Sequence, residues 1–110
     1  MPQYILKADR DRDLYVVWST VVDNAVWAGT RAELEAEPDY DTSADRMARV
    51  EVTGTSARDG TGSWSEPTLW VCNLPEPLLE PRLLPRASLA AFVAAQEDEP
   101  TIAALTVPAR

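Results

Sequence analysis

Leu14-Tyr15-Val16-Val17-Trp18-Ser19-Thr20-Val21-Val22 is the stretch on which the fold turns. β-Branched and aromatic residues dominate it, the composition that fits a pleated, packed surface. Its two alternating sets are both apolar: Tyr15, Val17 and Val21 on one face, Leu14, Val16, Trp18 and Val22 on the other. A strand with one wet face alternates more cleanly, so this one is expected to be central and covered on both sides. One cover is expected to be helical. The other is expected to be a second subunit in a symmetric homodimer, because so short a chain has few elements to spare.

Outward from this strand, Gln3-Tyr4-Ile5-Leu6-Lys7-Ala8 reads as its predecessor, joined through the polar run Asp9-Arg10-Asp11-Arg12-Asp13 in a hairpin. Asp23-Asn24 signals a turn into a short third strand, Ala25-Val26-Trp27-Ala28. A fourth strand is read at Thr68-Leu69-Trp70-Val71-Cys72. Together, 3–8, 14–22, 25–28 and 68–73 are expected to make one small, mostly antiparallel sheet.

The helices come from cap signals and periodicity. Thr30-Arg31-Ala32-Glu33 is a capping box, with Thr30 at the N-cap and Glu33 at the third position. It opens a helix over 31–37 that Pro38 ends. A helix is expected over 43–51, with Met47 and Val50 on one face and Gly54 just beyond. Val50, Val52 and Thr53 favour the competing reading, a strand from about 49. Ser56 to Ser65 reads as loop. Pro75, Pro77, Pro81 and Pro85 exclude a central strand from their segment, while the leucines between them, Leu74 to Leu84, require it to pack on the body. Residues 86–97 form the clearest helix, with Leu89, Phe92, Val93 and Gln96 inward, and Thr101–Leu105 makes a last turn. The expected fold class is α+β: a single domain, residues 1–110, whose sheet is packed by two or three helices.

Composition narrows the chemistry. Among 110 residues there is no histidine, one cysteine (Cys72) and one lysine (Lys7), against eighteen acidic residues and a net charge of −8. The side chain that titrates near neutral pH is missing, so Ser-His-Asp and Cys-His catalysis cannot be built from this chain alone, nor a zinc site with histidine ligands. Cys72 lies in an apolar run and reads as a small buried hydrophobe. The first twenty residues carry Lys7, Asp9, Arg10, Asp11, Arg12 and Asp13 where a signal peptide needs an apolar core, so a cytoplasmic location is expected. Apolar stretches fall short of the ~20 residues that cross a bilayer. No basic stripe offers a footing for nucleic acid, and the same sign of charge disfavours anionic membranes.

Several constellations bear on chemistry. Asp9-x-Asp11-x-Asp13 opens like a calcium loop, but Leu14 stands at the glycine position and Thr20 where a bidentate glutamate is required. Asp59-Gly60-Thr61-Gly62 lacks the strand and helix N-terminus of a phosphate loop. Neither stretch implies a cofactor or metal. Trp18, Trp27 and Trp70 lie in expected strands and read as core, whereas Trp64 sits in a polar, glycine-bearing loop and is a candidate recognition residue. Residues 33–45 hold six acids (Glu33, Glu35, Glu37, Asp39, Asp41, Asp45) and no base, with Tyr40 among them. They form a candidate docking face for a basic protein partner.

Trp18-Ser19-Thr20-Val21-Val22, Gly29-Thr30-Arg31-Ala32-Glu33-Leu34 and Leu84-Pro85-Arg86-Ala87-Ser88-Leu89-Ala90-Ala91 resemble a pattern in small uncharacterised proteins of actinobacteria and their phages. The excess of arginine over lysine fits a GC-rich genome of that kind. The resemblance implies a phage or mobile-element accessory protein and carries no activity or site residues. The expected function is a non-catalytic binding protein acting through its acidic face. One alternative is an inhibitor that imitates DNA phosphates before a nucleic-acid-binding protein; the other is a carboxylate enzyme that works without histidine.

Overall fold

Charged residues at 9–13 cannot continue a buried strand, and the chain turns back there. In the computed structural model, which describes residues 3–109, β1 (Gln3–Lys7) and β2 (Tyr15–Ser19) are antiparallel, with Tyr4 opposite Trp18 and Leu6 opposite Val16. β3 (Asn24–Gly29) runs along the other side of β2. Ala25 faces Trp18 and Trp27 faces Val17, so Val26 is the extra residue of a β-bulge on this edge strand. β2 stops at Ser19, short of the expected Val22. The Ser19 hydroxyl accepts from the N–H of Val21 and offers the backbone a local alternative to the ladder. Val21 is consequently 72% exposed.

All five residues of β2 are buried, and the chain itself provides both covers. On one face Ile5, Tyr15 and Val17 pack with Leu34, Met47 and Val50. These last three come from α1 (Arg31–Ala36) and α2 (Ala44–Thr53). On the other face Leu6, Val16 and Trp18 pack with Leu69, Val71, Leu84, Leu89, Phe92 and Ile102. Burial of β2 therefore makes no demand for a second subunit. The capping box forms as read: the Thr30 hydroxyl accepts from the N–H of Glu33 at 3.2 Å, and Glu33 accepts from that of Thr30 at 2.8 Å. α2 prevails over the competing strand because Met47 and Val50 fall on its buried side, and Gly54, at φ 88°, ends it in the left-handed conformation.

The sheet expected from four strands is two sheets of three. β4 (Thr68–Val71) pairs with β5 (Arg82–Pro85), which pairs with β6 (Val107–Pro108), all antiparallel. β5 is thus a central strand inside the proline-rich stretch, contrary to expectation. Pro81 precedes it and Pro85 is its last residue, so Arg82, Leu83 and Leu84 between them keep their N–H groups. Cys72 lies just past β4 and is half-buried instead of buried. Its N–H donates to the carbonyl of Asp23, and its carbonyl accepts from the Asn24 side chain, stitching the second sheet to the first.

The helix expected over 86–97 is α-helical only in its middle. One 3-10 turn, Arg86–Ser88, leads into α3 (Leu89–Ala95), and Gln96, exposed and at φ 56°, ends it instead of lying on the inward stripe. α4 (Glu99–Leu105) follows, capped by Asp98 and anchored by buried Ile102. The layers are α1 and α2, the first sheet, then the second sheet with α3 and α4, an α+β fold. Among the described residues no helix is long and apolar enough to cross a membrane.

Candidate functional site

The acidic segment runs over α1, the Pro38 turn and the start of α2, and its carboxylates have unlike surroundings. Glu33 is committed to the capping box and Glu35 to Arg31 at 3.2 Å. Asp41 accepts from the N–H of Ser43 at 3.0 Å and lies 3.7 Å from Arg46. The Ser43 backbone bond, with Arg46 behind it, holds the Asp41 carboxyl below its ordinary range. Glu37, Asp39 and Asp45 make no ion pair with any described residue. Asp39 and Asp45 are exposed and Glu37 half-buried. Tyr40 is half-buried, packed on the core beneath α1 and α2 with its ring 6.1 Å from that of Trp27.

Trp64 lies elsewhere. Its N–H bonds to the carbonyl of Thr53 at the C-terminal end of α2, whereas Asp45 is in the first turn. A ten-residue helix is about 15 Å long, so the two sequence-read candidates are not brought together. The Trp64 ring lies against Gly54, where a Cβ would come within 2.7 Å of it. Arg10 and Arg86 each stand 4.9 Å from the ring centre. Trp64 is half-buried, and its indole nitrogen is shielded without a hydrogen-bond partner among the described residues.

Two further sites were not evident in the sequence. On the α2 side, Glu51 accepts from the Tyr15 hydroxyl, from Lys7 at 2.9 Å and from Arg31 at 3.1 Å. Burial alone would raise the Glu51 carboxyl. The bonds from Tyr15 and Lys7 and the nearby cations outweigh burial and hold it below its ordinary value. Bonding to Glu51 in turn raises Lys7, and burial raises Tyr15. The hairpin register, which sets Lys7 opposite Tyr15, was the available signal; that Glu51 would join them was not.

The other is a groove of about 430 Å³ where the two sheets meet. Tyr4 and Trp18 lie on the wall from the first sheet, Trp70 on that from the second, and Asp23 and Glu66 come from the adjoining turns. Trp70, read as core, is 47% exposed. Alternation along β4 sends Leu69 and Val71 inward and Trp70 outward.

The calcium-like run is dispersed: Asp9 lies 3.8 Å from Arg12, and Asp13 accepts from the N–H of Arg31. Among the described residues no three carboxylates or thiols gather as metal ligands. In the glycine-bearing turn, Asp59 accepts from the N–H of Thr61, which lowers its carboxyl. No protein-family model matches this chain, no curated protein matches it, and no solved structure does.

Proposed function

We propose that this chain is a non-catalytic binding protein that holds a basic protein partner against the segment 33–45. The observation that carries the reading is the arrangement of Glu37, Asp39 and Asp45. They stand on a segment fixed by two helices and lack an internal cation among the described residues. Placing charge there without a cation forgoes stabilisation, and an external cationic surface recovers it. Glu51, Asp41 and Asp59 are all held below their ordinary range. That direction keeps a carboxylate ionised at neutral pH and gives it little use as a proton donor.

Affinity capture from a lysate of the source organism, at low and moderate salt, tests the reading. A partner on this face weakens as salt rises, because exposed charges are screened over about 8–10 Å at physiological ionic strength. Reversal of Glu37, Asp39 and Asp45 to lysine abolishes its capture. Retention of every partner by that variant would overturn the proposal.

A further inference from the structure

The groove between the sheets lies on the opposite face of the first sheet from α1 and α2. Tyr4 and Trp18 belong to the core shared with the second sheet, whereas Ile5 and Val17 face the two helices. It is therefore separate from the acidic segment, and its occupancy is independent of what that segment binds. Among the described residues no lysine or arginine lines it. Neither Asp23 nor Glu66 forms an ion pair with a described residue. Arg86 lies close behind, donating to the carbonyl of Gly62, but its guanidinium is also bound to the carbonyls of Lys7, Ala8 and Gly54.

Asp23 is held firmly. Its backbone is left-handed, at φ 53°, and its carbonyl accepts from the N–H of Cys72 at 2.8 Å. Trp70 exposes nearly half its surface at the rim. The groove thus offers an indole face, a phenol and two carboxylates without a cation among the described residues, and its volume is that of a ligand site.

We propose that this groove receives an arginine side chain of a partner polypeptide, its guanidinium stacked on Trp70 and paired with Asp23 and Glu66. A planar guanidinium is the group that satisfies an aromatic face and carboxylates together. The behaviour of Tyr4 agrees: burial first, then the charges of Asp23 and Asp59, push its hydroxyl up to about 12, so the field at this wall is negative. A neutral ligand would leave both carboxylates without a counter-charge.

The test is an NMR titration of the labelled chain with the peptide acetyl-Gly-Arg-Gly-amide, and with the same peptide carrying citrulline, the neutral isostere. The arginine peptide shifts the indole N–H of Trp70 and the amides of Asp23 and Gly62 saturably; the citrulline peptide binds about tenfold more weakly. Asp23→Asn with Glu66→Gln weakens the arginine peptide by about tenfold as well. Asparagine tolerates the left-handed backbone at 23, and Glu66→Gln alone decides the matter if the double variant does not fold. Charge reversal within 33–45 leaves this binding unchanged, which separates a failure here from a failure of the acidic-face reading. Equal binding of citrulline, shifts confined to 33–45, or no saturable shift at Trp70 would each overturn the proposal.

Discussion

The guanidinium of Arg86 lies 4.9 Å from the centre of the Trp64 ring, and the residue is only 5% exposed. It bonds to four backbone carbonyls, those of Lys7, Ala8, Gly54 and Gly62. Burial of the charge lowers its pKa to about 10. Arg86→Ala takes this donor from the carbonyls of Lys7, Ala8 and Gly62, while Gly54 keeps the N–H of Lys7, and is expected to cost about 3 kcal/mol, read by urea unfolding. Arg86→Lys keeps the charge but not the fork, and recovers only part of the loss.

Gly54 is constrained twice, by its φ of 88° and by the Trp64 ring lying where a Cβ would point. Gly54→Ala is expected to cost about 1 kcal/mol for the backbone alone, and more for displacing the ring. Trp64→Leu in the same chain relieves the second part, so the two substitutions will be non-additive in a double-mutant cycle. Additive losses would mean that the ring does not bear on Gly54.

Glu51 supplies a pH dependence. Its folded pKa lies below the ordinary 4.5, so the unfolded chain binds protons first on acidification. The stability it contributes is full above about 4.5 and is lost as pH falls through the folded value. Glu51→Gln is expected to cost about 1 kcal/mol at neutral pH, after allowance for solvent screening of a one-third-exposed group. It should also flatten the fall in stability below pH 4.5. Chemical unfolding at several pH values measures both effects.

The Thr30 cap supports a helix of only six residues. Thr30→Ala is expected to cost about 1 kcal/mol. Since Leu34 of that helix reaches the core under β2, the loss should appear in global unfolding and not as local fraying alone.

Legibility in the sequence followed range. Thr30 and Glu33 are three residues apart, and β1 and β2 are joined by one hairpin, so local rules reached the capping box and that strand pairing. The partner of β4 is Arg82–Pro85, beyond a run of prolines, and no local pattern distinguishes that pairing from one with the first sheet. β6, at two residues, carries no periodicity to read. The groove gathers Tyr4, Trp18, Asp23, Glu66 and Trp70 from both sheets and the turns beside them, so only tertiary packing assembles it. The outward aim of Trp70 was available from strict alternation, but aromatic bulk outweighed period in reading Thr68-Leu69-Trp70-Val71. The acidic segment was plain as composition. Which of its carboxylates are already engaged was not.

The reach of Arg86 back to carbonyls at 7, 8, 54 and 62 sets an order on synthesis of the chain. By residue 56 the nascent polypeptide holds β1 to β3, α1 and α2, with the whole of their shared core. The carbonyls of Lys7 and Ala8 must wait about thirty residues longer for the guanidinium that binds them. The opposite face of β2, which takes its cover from Leu69 onward, is bare over the same interval. A ribosome-bound fragment stopped before residue 86 should therefore be half-built and adhesive, a substrate for chaperones. Extension past Ile102 should release it to fold.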